Sequence, residues 1–219
     1  MTDSGQVVFN TFETRKEASD ALAAALEKDL AAGIKCNGKA SLVVSGGSSP
    51  VCMFQALRTK ALSWQDVCVI PSDERDVPLD HPDRNEAMIR RELLAEEATA
   101  AQLVSLIPPG DIPDRFDAVV LGMGDDGHTA SLFPGSPDLP EALCSEHKLA
   151  RMEVPQLGVF RISLTPGALL SSEKIYLLFF GSEKRHVFEQ ALRENDPMIF
   201  PVSIVLGQTR VPVAVYWAP

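Results

Sequence analysis

Short apolar runs rich in Val, Ile and Leu alternate along the chain with segments of helical periodicity. This pattern predicts βα units built around a largely parallel sheet. Residues 40–45, 67–71, 116–121 and 175–180 read as buried strands, apolar at successive positions as strands covered on both faces are. Between them lie helix starts. Thr14-Arg15-Lys16-Glu17 has the spacing of a capping box before an Ala/Leu-rich stretch reaching Ala32, and Asp83-Arg84-Asn85-Glu86 repeats that spacing. Ser182 opens a further helix to about Arg193. The sequence contains no internal repeat or low-complexity segment, and Pro and Gly are spread along it rather than gathered into a linker. The pattern predicts one α/β domain spanning residues 1–219.

Composition narrows the function. The 45% hydrophobic and 23% charged residues are those of an ordinary globular chain, which excludes disordered, collagenous and coiled-coil classes. With 20 Lys+Arg against 30 Asp+Glu the net charge is −10, so nucleic acid and anionic membrane surfaces are poor partners. A small anionic ligand needs a local basic cluster. No apolar run reaches the length that spans a bilayer, and Met1-Thr2-Asp3-Ser4-Gly5-Gln6 has neither a basic nor an apolar leader region. The expected location is therefore cytoplasmic. Cys36, Cys52, Cys68 and Cys144 form no CxxC pair and are expected as free thiols, with zinc excluded on the same spacing.

In parallel sheets, ligands bind where loops leave the carboxyl ends of the strands, and the chemically rich residues fall in such loops. Gly46-Gly47-Ser48-Ser49-Pro50 follows the predicted strand 40–45; it is either a tight turn with a Ser cap or a phosphate cradle of backbone N–H groups and hydroxyls. It lacks both the Walker ending and GxGxxG. Asp73-Glu74-Arg75 reads as a solvated acid–base run, or as part of the site if Arg75 reaches the same edge and meets an oxyanion. Gly122-Met123-Gly124-Asp125-Asp126-Gly127-His128 carries the strongest signal. An imidazole, with an unperturbed pKa of about 6.5, accepts a proton near neutrality, and a neighbouring carboxylate holds its tautomer. The structural alternative is a capped glycine turn. No second His or Cys sits at metal-ligand spacing there. Arg161, at the start of a probable strand, and Lys184, in the first turn of a helix, are surface charges or anion ligands. His81, His147 and His186 have no supporting pattern and read as surface residues.

Taken in order, Gly46 to Pro50, Asp73-Glu74-Arg75, Gly122 through His128 to Gly135, Arg161 to Thr165, and Gly181 with Lys184 resemble the 6-phosphogluconolactonase family from about residue 7 to 206. The resemblance implies a Rossmann-like three-layer αβα domain with a largely parallel sheet. That fold is shared with glucosamine-6-phosphate deaminase, ribose-5-phosphate isomerase and CoA-transferase-like proteins. It implies hydrolysis of 6-phosphogluconolactone, the second step of the oxidative pentose phosphate pathway, with no required metal or cofactor. The small-molecule substrate is the implied partner, and the protein a monomer or small homo-oligomer.

Carried over residue by residue, the resemblance makes His128 the base that activates water, Asp126 its partner and Arg75 a stabiliser of the oxyanion. Gly46, Gly47, Ser48, Arg161 and Lys184 hold the phosphate, and Asp73, Arg75 and Asn85 face the sugar and lactone. Two positions depart from the family pattern. Arg84-Asn85 replaces the usual Ser-Asn, which bears on a sugar contact, and no Asp follows Trp217. The alternatives are a glucosamine-6-phosphate deaminase and a non-catalytic sugar-phosphate sensor. The deaminase pattern places Glu in a Phe-Asn-Glu-Pro context where this chain has Leu132-Phe133-Pro134-Gly135. A sensor needs no proton acceptor.

Overall fold

A computed structural model describes residues 7–155 and 158–219; Met1 to Gln6, on which the expected absence of a leader rests, lie outside the described residues. The chain begins with β1 (Val7–Thr11), α1 (Arg15–Asn37), β2 (Ala40–Val44), α2 (Val51–Leu57), β3 (Val67–Pro71), β4 (Asp73–Arg75) and α3 (Asn85–Glu92). It continues through β5 (Gln102–Leu103), β6 (Ala118–Leu121), α4 (Leu139–Cys144), β7 (Leu149–Val154), β8 (Val159–Leu164) and α5 (Pro166–Leu169). It closes with β9 (Ile175–Phe180), α6 (Ser182–Glu194), α7 (Ser203–Leu206) and β10 (Val213–Ala218). Seven strands form one parallel sheet in the order β1-β10-β9-β6-β2-β3-β5, and β4, β8 and β7 form a small antiparallel sheet.

The central strands β2, β6 and β9 are apolar but for Ser41 because helices cover both sides. Leu42, Val44, Ala118, Val120, Tyr176 and Leu178 face a core shared with Leu22, Leu26 and Leu30 of α1 and with Met53 and Phe54 of α2. Val43, Val119, Leu121, Ile175 and Leu177 face the opposite core, filled by Leu169 of α5, Phe188 of α6 and Val205 of α7. Each such buried side chain contributes on the order of 1.5–3 kcal/mol relative to exposure. Helix, sheet and helix make the three layers. Among the described residues no helix is long and apolar enough to cross a membrane.

The predicted strands 67–71 and 175–180 form as read, 40–45 ends one residue early, and 116–121 begins at Ala118, with Phe116 held only by a bridge to Ser172. Thr14 caps α1 by accepting from the Glu17 N–H, while Glu17 reaches back to the Glu13 N–H rather than to the Thr14 N–H. The helix runs past Ala32 to Asn37. The second capping box does not form. The residue before α3 is Arg84, whose side chain makes no cap bond, and the first N–H groups of the helix turn instead to Glu74 of β4. A three-residue sequence spacing carries no information about a carboxylate arriving from a different strand.

The direction in which successive strands are added to the sheet reverses between β2 and β6. From β2 the chain proceeds through α2 to β3 on one side, and from β6 it proceeds to β9 on the other. The loops leaving the carboxyl ends of these neighbours diverge and open a crevice there.

Candidate active site

The crevice is a cleft of about 350 Å³ at the switch point. Each strand beside it delivers one group of residues. Gly46, Gly47 and Ser48 follow β2, Asp73 and Arg75 follow β3, Gly122 to His128 follow β6, and Lys184 sits in the first turn after β9. Arg161 arrives from β8, directly opposite Arg75 in the antiparallel pair, so the two guanidinium-bearing residues are neighbours. All of Gly46, Gly47, Ser48, Asp73, Arg75, Asn85, His128, Arg161 and Lys184 line the cleft. Asp126 stands behind His128 and reaches it through a hydrogen bond.

That pair is tightly built. His128 Nδ1 lies 2.6 Å from Asp126 Oδ1, and the same oxygen accepts the His128 backbone N–H at 3.0 Å. Burial pushes the Asp126 carboxyl up, but the two hydrogen bonds from His128 and the attraction of its ring outweigh this and hold it below the ordinary carboxylate range. An ionised Asp126 fixes the proton on Nδ1 and leaves the Nε2 lone pair for a partner outside the protein. The loop is closed by the Gly124 N–H donating to the His128 carbonyl and the Thr129 hydroxyl to the Gly122 carbonyl, at 2.9 Å each. Close approach requires glycine at two points. A Cβ on Gly124 would lie 2.1 Å from His128 Nδ1, and one on Gly46 2.1 Å from Asn85 Oδ1.

The acid–base run is not solvated. Asp73 and Glu74 are buried, because β4 is covered by the loops around it. Asp73 accepts from the Ser131 hydroxyl at 2.6 Å and the Ser72 hydroxyl at 3.1 Å, and it lies 3.7 Å from Arg161 Nη1. Burial lowers the Arg161 pKa from the usual guanidinium range; Asp73 opposes this and Arg75 adds to it. Lys184 Nζ donates to the Met123 carbonyl at 2.7 Å and lies 3.8 Å from Asp125, so the protein itself supplies the oxygens that a cation near a helix start needs. Arg75 donates to the Asp83 carbonyl. Arg75 Nε, Arg161 Nε and Asn85 Oδ1 are buried without a hydrogen-bond partner among the described residues.

The Arg84 departure is absorbed outside the cleft. Arg84 is fully buried against Glu74 and Glu86, while Asn85 stays in the cleft with its amide donating to the Asp73 carbonyl at 2.7 Å. Sequence reasoning missed Phe133. Its ring lies 4.4 Å from the His128 ring and carries the Arg161 guanidinium 5.3 Å from its centroid, making one wall for base and cation. A Phe in an apolar stretch gave no local signal for this. Ser49, one of the hydroxyls of the expected phosphate cradle, also lines the cleft, as do Met123 and Ala130, the last with a left-handed backbone at φ 49°. His147 and His186 are exposed, His81 is partly exposed, and Cys36, Cys52, Cys68 and Cys144 are unpaired.

A parallel α/β sheet with an imidazole–carboxylate pair and three cations at its switch point is that of an enzyme acting on a small molecule. The family of glucosamine-6-phosphate isomerases and 6-phosphogluconolactonase matches residues 13–111 and 95–217. A 6-phosphogluconolactonase of Pseudomonas aeruginosa is 37% identical over 93% of this chain and 91% of its own length. The crystal structure of a 6-phosphogluconolactonase from Shewanella baltica superposes with a TM-score of 0.94 at 36% identity, covering 98% of both chains. A monomeric glucosamine-6-phosphate deaminase, at 18% identity and TM-score 0.74 over 95% of this chain and 97% of that one, shares the fold alone. The chain belongs to the family of glucosamine-6-phosphate isomerases and 6-phosphogluconolactonase.

Proposed function

We propose that the protein hydrolyses 6-phosphogluconolactone to 6-phosphogluconate, the second step of the oxidative pentose phosphate pathway, by water activated at His128. The observation that carries this reading is the His128–Asp126 pair, at 2.6 Å, opening on a cleft whose Arg75, Arg161 and Asn85 still have unpartnered polar atoms. Water attacks the lactone carbonyl carbon as Nε2 takes its proton. Negative charge develops on the carbonyl oxygen, where Arg75 stabilises it. The tetrahedral intermediate then collapses by breaking the bond to the ring oxygen, which recovers the proton from the imidazolium and leaves an open-chain acid. General-base catalysis supplies about 10² to 10⁴ in rate, and oxyanion stabilisation adds to it.

In this reading Gly46, Gly47, Ser48, Arg161 and Lys184 take the phosphate, and Asp73, Arg75 and Asn85 the sugar and lactone. Three cations converging on one cleft reconcile phosphate binding with a net charge of −10. Residues 1–219 act as one catalytic domain, in the cytoplasm, as a monomer or small homo-oligomer. The direct test is proton release in weak buffer on adding fresh lactone, with glucosamine 6-phosphate as control; release no faster than the uncatalysed rate removes the proposal.

Phosphate recognition has its own test. Lys184→Ala is expected to weaken substrate and product binding by about 1.5–3 kcal/mol, the range for a hydrogen bond to a charged group. The same variant is expected to leave hydrolysis of unphosphorylated gluconolactone unchanged. Equal wild-type efficiency on the phosphorylated and unphosphorylated lactones would show that the cations serve something other than phosphate.

A further inference from the structure

Glu74 stands behind the cleft, and nothing in the chemistry above uses it. It is completely buried in the three-residue strand β4, between Asp73 and Arg75, which both line the cleft. One of its oxygens accepts from the Arg75 N–H at 2.7 Å and the Asn85 N–H at 2.8 Å; the other accepts from the Glu86 N–H at 2.9 Å. Helix α3 has no cap from its own flanking residue, so Glu74 satisfies its first two N–H groups, at the end where the helix dipole favours an anion.

Arg84 is the counter-charge. With its side chain 1% exposed, it places Nε 3.6 Å from Glu74 and Nη2 2.8 Å from Glu86. The rest of its fork donates to the Val77 carbonyl at 3.3 Å and the Ile107 carbonyl at 3.2 Å. Glu86 also accepts from the Ser105 hydroxyl at 2.6 Å. A buried carboxylate with this many donors resists displacement, because every lost partner leaves a charge unsatisfied in a dry interior.

The carboxylate therefore joins two segments that carry cleft residues. Asn85 is the first residue of α3, its amide donates to the Asp73 carbonyl, and its unpartnered Oδ1 lies against Gly46. We propose that Glu74 is a positioning residue of this site: its buried carboxylate fixes the register of Arg75 and Asn85 against the cleft, with Arg84 as its counter-charge. The proposal rests on the lactonase reading, with Arg75 and Asn85 on the sugar and lactone side.

The test is a double-mutant cycle in the full chain. Glu74→Gln keeps the shape but places an amide where an acceptor faces the Glu86 N–H and Arg84. Kinetics are normalised to the folded fraction measured by circular dichroism. KM is expected to rise about tenfold, the scale of one weakened contact, with 6-phosphogluconate affinity falling in parallel. Turnover is expected to fall as well, by up to about tenfold, because the displaced Arg75 is also the stabiliser of the oxyanion. Combined with Asn85→Ala, the two rises in KM should be less than additive, since part of the Glu74 effect acts through Asn85.

A Glu74→Gln variant with fewer folded molecules but unchanged KM, or losses that add, overturns the proposal in favour of a purely structural role. If Glu74→Gln does not fold, Arg84→Lys carries the test, since it keeps the charge but loses the fork to Val77 and Ile107. A raised KM supports positioning, and an unchanged KM overturns it. A wild type without lactone hydrolysis is a different result, which overturns the lactonase reading itself.

Discussion

Replacing His128 by Ala is expected to lower kcat by about 10² or more, because it deletes the only imidazole that lines the cleft among the described residues. Affinity for 6-phosphogluconate should be largely retained, since the residues proposed to take the phosphate sit on other loops. That split between turnover and binding separates a lost base from a damaged fold. Spontaneous lactone hydrolysis rises with hydroxide and is subtracted at each pH. A folded His128→Ala protein that turns over near the wild-type rate would mean that another group activates the water, with Asp126 the next to test.

The pair also sets the pH response. Asp126 is held below the ordinary carboxylate range, so its ionised form persists as pH falls and is lost only below that range. kcat/KM should therefore not fall through loss of the Asp126 charge anywhere in the ordinary carboxylate range, which a pH–rate profile checks. Asp126→Asn is expected to cost less than His128→Ala, because the amide oxygen still orients the ring. A fall in kcat/KM that follows carboxylate protonation within the ordinary range, present in the wild type and absent from Asp126→Asn, would overturn this.

Most of the sheet was legible because its strands are continuous apolar runs, and both faces of β2, β6 and β9 are covered. The small antiparallel sheet was not. Its strand β4 is Asp-Glu-Arg, the opposite of a β-forming composition, and its charges are tolerated only because Asn85, Arg84, Ser131 and the start of α3 meet them in space. Local spacing likewise suggested a capping box at Asp83, whereas the cap comes from Glu74, 11 and 12 residues before the N–H groups it accepts. The cleft residues were legible for another reason. Glycine loops at strand ends mark where backbone must approach closely, and topology alone then brings such loops to one edge. Phe133 stayed hidden, since the contact of one aromatic ring with both His128 and Arg161 depends on how the 122–135 loop folds over β8.

Gly124→Ala is expected to cost as much turnover as deleting a catalytic group, although it adds one methyl at a position that touches no substrate in this mechanism. The added Cβ would stand 2.1 Å from His128 Nδ1, 2.2 Å from Cε1 and 2.7 Å from Asp126 Oδ1. Gly124 is not among the positive-φ glycines, so its backbone accepts alanine and the effect is steric. The imidazole can relieve the overlap by swinging toward the cleft, which spares the core but separates Nδ1 from its carboxylate. A displacement of about 1 Å in a reacting group costs up to about 10² in rate, and the ring must move at least that far. The expected result is therefore a folded protein with kcat lowered about 10²-fold and 6-phosphogluconate affinity retained. Gly167→Ala, whose Cβ would meet nothing closer than 3.5 Å, should leave turnover unchanged and serves as the control. Near wild-type kcat in a folded Gly124→Ala protein would show that water activation does not depend on the His128–Asp126 geometry. The assignment of His128 as a base oriented by Asp126 would then fail even if His128→Ala were inactive.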